Sequence, residues 1–329
     1  MSQVTFIQAI NQALHDAMEA DPKVLVLGED VADAEGGGVV GITRGLSQKF
    51  GSERVKSTPI SEQAIMGAAI GAALKGFKPV AEIMLMNFTT IASDMIVNHA
   101  AKLRFMSGGQ TSVPIVVRTM TGAGVSNGGQ HSDYLEAWFA HTAGLKVVLP
   151  STPADAYGLM LSCIDDPDPC IFIETLPALY NKGEAPVRGE RIPLGKAKTL
   201  REGDGVSVIG YGRIIQQAAG LADKLAGEGI SVDVVDLRTV SPFDKEAVLA
   251  SVRKTGAAII VHEAVRKFGI GAEIAAVIQE ELFTQLRAPV RRIGAKYAPV
   301  PFSQPLEAAS LPSMDEIELA IRDLAAVVA

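Results

Sequence analysis

Residues 58–76 read TPISEQAIMGAAIGAALKG, and this stretch decides how the chain is read. An acidic residue, Glu62, opens a predicted helix and is followed by Gly67, Gly71 and Gly76 among alanines. Glycines four or five apart on a helix fall roughly on one side, where a second backbone can approach closely. Each glycine costs a helix up to ~1 kcal/mol relative to alanine, so three in one segment call for a reason. Spacing alone leaves two readings open. One is a buried, tightly packed helix whose Glu62 merely complements the N-terminal dipole; the other is a helix whose Glu62 takes part in chemistry. In a membrane such spacing marks helix dimerisation, but Glu62, Gln63 and Lys75 exclude an apolar span here.

The bulk composition is consistent with a layered α/β protein. A chain of 329 residues suggests two domains with ample core. Apolar residues make up 48% of it and aromatics only 5%, with Ala, Gly, Val and Ile dominant. A net charge of −7 without a Lys/Arg cluster argues against a nucleic-acid partner. MSQVTFIQAINQAL leads straight into an amphipathic pattern, with no signal-peptide character. No apolar run approaches the ~20 residues of a membrane span. Cys163 and Cys170 bracket an acidic, proline-containing turn, so a reduced, cytoplasmic setting with both thiols in the core is expected.

Around the glycine helix, strand and helix patterns alternate. Ile7, Ile10, Leu14 and Met18 fall at helical spacing, and Asp21-Pro22 stops that helix. VLVLGED from Val24 reads as a buried strand ending in acidic residues, and DAEGGGVVG (33–41) as a loop. KPVAEIM (78–84) and VPIVVRT (113–119) read as strands flanking a helix near 88–104. After LKVVLP (145–150), Thr152 caps a helix with Pro153 at its first position and Asp155 in its first turn. CIFIET (170–175) closes this half, and strands alternating with helices imply a parallel, doubly wound sheet. Charge, Gly and Pro without periodicity make 181–194 the expected linker. Alternation then resumes with VSVIGY (206–211), VDVVDL (232–237), AAIIVHE (257–263) and VRRIG (290–294). The division expected is 1–180 and 195–329, two doubly wound α/β domains.

A Glu, four residues, then Gly-apolar-x-x-Gly resembles the pyrimidine-side motif of thiamine-diphosphate enzymes. GED (28–30), SGG (107–109), QHS (130–132) and GLKVVLPSTPADAYGL (144–159) narrow the match. From about Thr5 to Leu324 the chain resembles the beta subunit of the decarboxylating component of 2-oxo acid dehydrogenase complexes. That family includes the pyruvate, acetoin and branched-chain enzymes. The resemblance implies a pyrimidine-binding domain followed by a transketolase C-terminal-like domain. It also implies thiamine diphosphate as cofactor, with Glu62 on a ring nitrogen of the aminopyrimidine and Glu29, Met86 and Phe88 lining its site. A carboxyl group there favours the imino form, which takes a proton from the thiazolium carbon, and burial in general suits a carboxyl to proton sharing. His131, in GGQHSDY, matches the family's histidine beside the reacting carbon, as proton donor or stabiliser of the intermediate. His141 is open between a supporting and a core position.

The resemblance also implies a potassium ion held by the carbonyl of Ile115 and by Cys163, Ile164, Asp166 and Asp168. Composition alone reads SCIDDPDPC (162–170) as an ordinary acidic turn, and no cluster has zinc geometry. The diphosphate motif, GDG followed about 25–30 residues later by Asn, is incomplete: GDG stands at 203–205, but no Asn follows Asn181. The resemblance implies as partners an alpha subunit carrying magnesium and diphosphate, in a two-plus-two heterotetramer, and a lipoyl acyltransferase core. YGR (211–213) and FGIGAEI (268–274) would serve dimerisation and docking. Departures from the family pattern are Leu85-Met86-Asn87-Phe88 where aromatics are usual, Ala68 and Ala72 after the glycines, and Asp133 after His131-Ser132. They leave substrate identity open; GGVVGITRGL (37–46) leans towards acetoin.

A signal of another class competes. Gly124-Val125-Ser126-Asn127-Gly128 satisfies the G-x-S-x-G pattern of a serine hydrolase, and Asp236 and His262 would complete a triad. The pattern wants a strand running directly into the turn and a helix leaving it, whereas 119–130 reads as a loose loop with four glycines. FGIGAEI lacks the third glycine of a dinucleotide-binding turn.

Overall fold

Thr5 starts the first helix with a reciprocal cap: its hydroxyl accepts from Gln8 N at 3.2 Å, and the Gln8 side chain accepts from Thr5 N at 2.9 Å. In the computed structural model, which describes residues 3–328, this cap joins β1 (Gln3–Thr5) to α1 (Phe6–Ala20). Ile10, Leu14 and Met18 are buried on one face of α1, as their spacing predicts. By its internal contacts the chain divides into two units. The first runs up to Thr121 and again from Trp138 to Leu194; the second comprises Gly122–Ala137 and everything from Gly195.

In the first unit, α1 is followed by β2 (Val24–Glu29), the short α2 (Leu46–Phe50) and β3 (Val55–Thr58). Next come α3 (Glu62–Leu74), β4 (Lys78–Leu85), α4 (Ala101–Met106) and β5 (Val116–Thr121). The chain returns to this unit at Trp138, within α5 (Glu136–Ala140), and continues to β6 (Lys146–Val148), α6 (Pro153–Asp165), β7 (Cys170–Thr175) and β8 (Lys182–Glu184). The strands lie in the order β6-β7-β5-β4-β2-β3, every pair parallel. β5 and β7 are buried along their whole length, as parallel strands covered on both faces must be. Thr152 caps α6 by accepting from Asp155 N at 3.1 Å, and both cysteines are buried free thiols.

One expected element is broken. Instead of a continuous helix near 88–104, the chain forms a 3-10 turn (Met86–Thr90) and then a π-helical turn (Met95–Ala100) running into α4. Thr89 and Thr90 donate their hydroxyls to the carbonyls of Met86 and Asn87, competing with the helical ladder at its start. The stretch 181–194 lies against the first unit along its length. β8 pairs antiparallel with β1, Gly189 N donates to the Tyr157 hydroxyl at 2.6 Å, and Ile192 exchanges hydrogen bonds with Gly158 and Ser162.

The second unit follows with β9 (Lys198–Arg201), β10 (Val206–Gly210), α7 (Gly212–Ala226), β11 (Val232–Asp236) and β12 (Thr239–Ser241). Its remainder is α8 (Lys245–Thr255), β13 (Ala258–Val265), α9 (Ile270–Leu282), β14 (Arg291–Ala295), α10 (Gln304–Ser310) and α11 (Met314–Val328). The sheet order is β14-β13-β10-β11-β9, parallel except for the edge strand β9. Val208, Val234, Ile259 and Val261 form its buried centre with Ile214, Ala218, Ile317 and Ile321 from the helices. Gly203 and Gly205 of the GDG turn press against the backbone of Ser231 and Val232, where a Cβ would come within 2.4 Å of an atom. That turn is a packing device at the head of β10.

Gly144 tests the packing of the first unit. It sits at φ +99°, and a Cβ there would lie 2.0 Å from the carbonyl oxygen of Ala101. Gly144→Ala combines backbone strain with overpacking, and is expected to destabilise the fold by ~3 kcal/mol or more, read as a fall in denaturation midpoint.

Candidate active site

Parallel strands deliver their carboxyl-terminal ends to one side of a sheet, and in the first unit β2 ends there on an acidic residue. Gly28 is tied to its place because a Cβ would lie 2.8 Å from the Glu82 carbonyl oxygen. Glu29 is the last residue of β2, and Asp30 turns the chain with φ 56°. Glu62 is the first residue of α3 and only 8% exposed. Burial pushes the Glu29 carboxyl above the ordinary range, and the negative charges of Asp30, Glu62 and Glu82 push it further. The structure thus brings Glu29 and Glu62 into one electrostatic neighbourhood. Thr58, opposite Glu29 on β3, has a buried hydroxyl without a hydrogen-bond partner. At the end of β4, Met86 is wholly enclosed and Phe88 is packed against the core.

Beneath these groups lies a buried ion triad that sequence reading did not anticipate. The Arg118 guanidinium on β5 meets the Glu82 carboxylate on β4, and its Nη1 lies 3.3 Å from Glu174 Oε1 on β7. All three side chains are at most 3% exposed. One guanidinium neutralises one carboxylate. Glu174, neither of whose oxygens has a hydrogen-bond partner, is accordingly pushed up to about 8 by burial, against the pull of Arg118. The signal was legible: AEIM, VVRT and IFIET each carry a lone charge in an apolar strand, of alternating sign across the sheet.

His131 lies on the segment Gly122–Ala137, which belongs to the second unit. Gly122, Gly124, Ser126 and Gly128 all have positive φ, and His131 N donates to Gly128 O at 3.2 Å. Buried groups of the second unit hold the far end of this loop. Tyr134 donates to Glu263, which also takes the Arg213 guanidinium. Tyr211 donates to Glu136 Oε1 at 2.6 Å. Burial pushes the Glu136 carboxyl up to about 7, the Tyr211 hydrogen bond opposing it. YGR is therefore a pair of anchors for the His131 loop. His141 is exposed, so it is not a core residue.

The elements of the hydrolase reading do not meet. His262 stacks on Tyr211, its Nδ1 faces Ala264 O at 3.0 Å, and its Nε2 is buried without a partner. Burial holds the imidazole down to about 4, so it is neutral. Gly269, Gly271 and Gly294 enclose the ring so closely that a Cβ on any of them would come within 2.9 Å of it. The glycines of FGIGAEI thus make room for a histidine. The Ser126 hydroxyl faces the Glu307 carboxylate at 3.4 Å.

At the acidic turn, both oxygens of Asp166 take the Lys146 ammonium at 2.5–2.6 Å, and Asp168 takes Arg104 at 2.6 Å. The Ile115 carbonyl accepts from Cys170 N, and that of Cys163 from Asp166 N. The carboxylates of Asp166 and Asp168 are thus both engaged by cations of this chain. Among the described residues no group of three or more His, Cys, Asp or Glu is arranged to hold a metal, and no helix is long and apolar enough to cross a membrane.

Comparison with known proteins agrees with this architecture. The family model of the transketolase pyrimidine binding domain matches residues 2–181, and that of the transketolase C-terminal domain residues 195–317. The chain is 44% identical over 322 residues to the acetoin:2,6-dichlorophenolindophenol oxidoreductase subunit beta of Cupriavidus necator, covering 95% of each. It is 43% identical to the 2-oxoisovalerate dehydrogenase subunit beta of Bacillus subtilis, covering 99% of each. Identity is also 43% to the mitochondrial pyruvate dehydrogenase E1 component subunit beta-2 of Oryza sativa, over 96% of this chain and 84% of that protein. A solved structure titled as a split gene transketolase, an inactive beta4 tetramer, shares the fold with a TM-score of 0.81 at 21% identity, over 99% of both chains. The expected pair of doubly wound domains is thus what the chain forms, and it belongs to the family of transketolase-like dehydrogenase beta subunits that includes the pyruvate, acetoin and branched-chain 2-oxo acid enzymes.

Proposed function

We propose that this chain is the beta subunit of a thiamine-diphosphate-dependent dehydrogenase of pyruvate or acetoin. Such an enzyme cleaves the C–C bond beside a carbonyl and passes the acyl group to a lipoyl carrier. The observation that carries the reading is the gathering of Glu29 at the end of β2 and Glu62 at the start of α3, above the buried Glu82 of β4, in a chain of this family. Those carboxyl groups, and the unpartnered Thr58 hydroxyl beside Glu29, fit a bound heterocycle with ring nitrogens. Thiamine diphosphate, when bound, supplies an electron sink adjacent to the substrate carbonyl. Glu62 holds a proton at a pyrimidine nitrogen, Glu29 adds an acidic neighbour, and Met86 with Phe88 forms an apolar wall. His131 donates a proton in the later steps, in keeping with imidazole's range near neutral pH. No step here requires potassium.

The chain supplies the pyrimidine half of such a site, and its GDG turn is packed against β11. Magnesium and diphosphate therefore fall to an alpha subunit in a two-plus-two assembly, which a lipoyl acyltransferase core completes. The exposed face of α3 supports an intersubunit role. Gln63, Ala64, Ala68, Gly71 and Leu74 are uncovered, and beyond the adjoining backbone of α3 itself nothing in this chain lies within 4 Å of a Cβ placed on Gly71. Branched-chain 2-oxo acids are a second substrate class, favoured by the full-length similarity to the 2-oxoisovalerate enzyme. Relative kcat/KM for pyruvate, acetoin and 2-oxoisovalerate in the assembled enzyme decides among them.

Glu62→Gln is expected to leave folding and assembly intact while slowing turnover roughly 10²–10⁴-fold, the usual contribution of a positioned acid–base group. Steady-state kinetics of the reconstituted complex provide the check, and near-normal turnover would remove Glu62 from this role.

Gly71→Leu places a branched side chain against whatever backbone covers α3 in the assembly, where overpacking typically costs about 1–3 kcal/mol. Size exclusion should show loss of oligomer while circular dichroism is unchanged. An intact oligomer of normal stability would mean that α3 is not at an interface.

A further inference from the structure

The segment Gly122–Gln130 contains four residues with positive φ, among them Ser126 at 58°, and such a segment keeps one conformation only where its surroundings impose it. The imposing group is a side chain from α10. Glu307 is 1% exposed, and its Oε1 accepts from Gly124 N at 2.8 Å. Ser126 N reaches both carboxylate oxygens, at 3.2 and 3.0 Å, and the Ser126 hydroxyl lies 3.4 Å from Oε2. Alternating positive-φ residues turn successive N–H groups to one side, forming a cradle for an anion, and here the anion is a carboxylate of the same unit. Gly128 and Gly129 continue the contact on Phe302, Pro299 and Val300. Beyond His131, Tyr134 on Glu263 and Glu136 on Tyr211 fix the other end. His131 therefore stands between two anchored points.

We infer that Glu307 is a positioning residue that locks the loop Gly122–Gln130 and so presents His131, an inference that rests on the role proposed above for that histidine. The G-x-S-x-G pattern is the footprint of this lock. A buried carboxylate holding several N–H groups is exacting about its replacement. An amide has a single acceptor oxygen, and its NH₂ would confront donors.

Two measurements test it. Amide hydrogen exchange on the full chain should show 122–131 exchanging roughly tenfold faster or more in Glu307→Gln, with β10 and β13 unchanged. In the assembled enzyme, Glu307→Gln should lower transfer to the lipoyl carrier about 10²-fold, and lower decarboxylation with an artificial electron acceptor less, as His131→Ala should. The double variant should be little worse than either single one, since both disable one unit. Ser126→Gly keeps the N–H and should behave as wild type in both assays. Glu307→Asp keeps the buried charge but draws it back from Gly124 N and Ser126 N, and gives the same readouts should Glu307→Gln fail to fold. Unchanged exchange at 122–131, or additive losses in the double variant, would overturn the lock. If the wild-type complex turns over none of the three substrates, the proposed function fails, and the exchange result still decides the lock.

Discussion

One buried guanidinium governs the sheet on which the acidic site is built. Arg118 stands at the middle of the parallel sheet of the first unit, between Glu82 on β4 and Glu174 on β7. Removing a charge of this kind from water costs several kcal/mol, which only a close counter-ion repays. Deleting one partner of such a buried pair typically costs ~3–5 kcal/mol, because the other charge is left uncompensated. Two carboxyl groups compete for the single positive charge. Glu82 has the closer contact, and Glu174 is left with its proton held up to about 8 by burial. The arrangement is neutral in sum, and it leaves Glu82 with a residual negative influence on Glu29. The charge state of the outer carboxyl groups is thus coupled to that of the inner three.

Much of the fold was legible because it rests on local rules. The α1 face at Ile10, Leu14 and Met18, the Thr152 cap with Pro153, and the apolar runs at Val24 and Cys170 need no distant partner to be recognised. What was not legible depends on distant partners. β1 and β8 are three-residue strands that exist only through each other, and β8 begins only at Lys182. β3, VKST, has one wholly buried residue, Val55, and takes its strand form from pairing with β2. The helix expected near 88–104 was broken by hydroxyl-to-carbonyl bonds of Thr89 and Thr90, which periodicity does not register.

The candidate site divides along the same line. Glu62 and Glu29 stand out because their strand-end and helix-start positions are visible in the sequence. The supporting charges Glu82, Arg118 and Glu174 each sit alone in a strand, and only the pairing of β4, β5 and β7 brings them together. His131 is visible as a histidine in a glycine-rich loop, but the groups that anchor that loop are not, since Tyr211, Glu263 and Glu307 lie 80 to 176 positions later in the chain. Glycines also changed their meaning. Those of FGIGAEI, weighed as a fragment of a nucleotide-binding turn, are small because His262 occupies the space a Cβ would need.

The G-x-S-x-G pattern shows why a short motif underdetermines chemistry. A nucleophile elbow needs a residue in a strained left-handed turn, flanked by glycines that let the backbone pass, and Ser126 at φ 58° has that conformation. What the conformation accomplishes depends on what stands opposite. An elbow offers its hydroxyl to a histidine and its N–H groups to a substrate oxyanion; here the same N–H groups converge on the Glu307 carboxylate. A permanent internal anion fills the place that a transient one would take, which turns a catalytic geometry into an anchoring one. The distinction lies in a glutamate 181 residues downstream of Ser126, which no local pattern encodes.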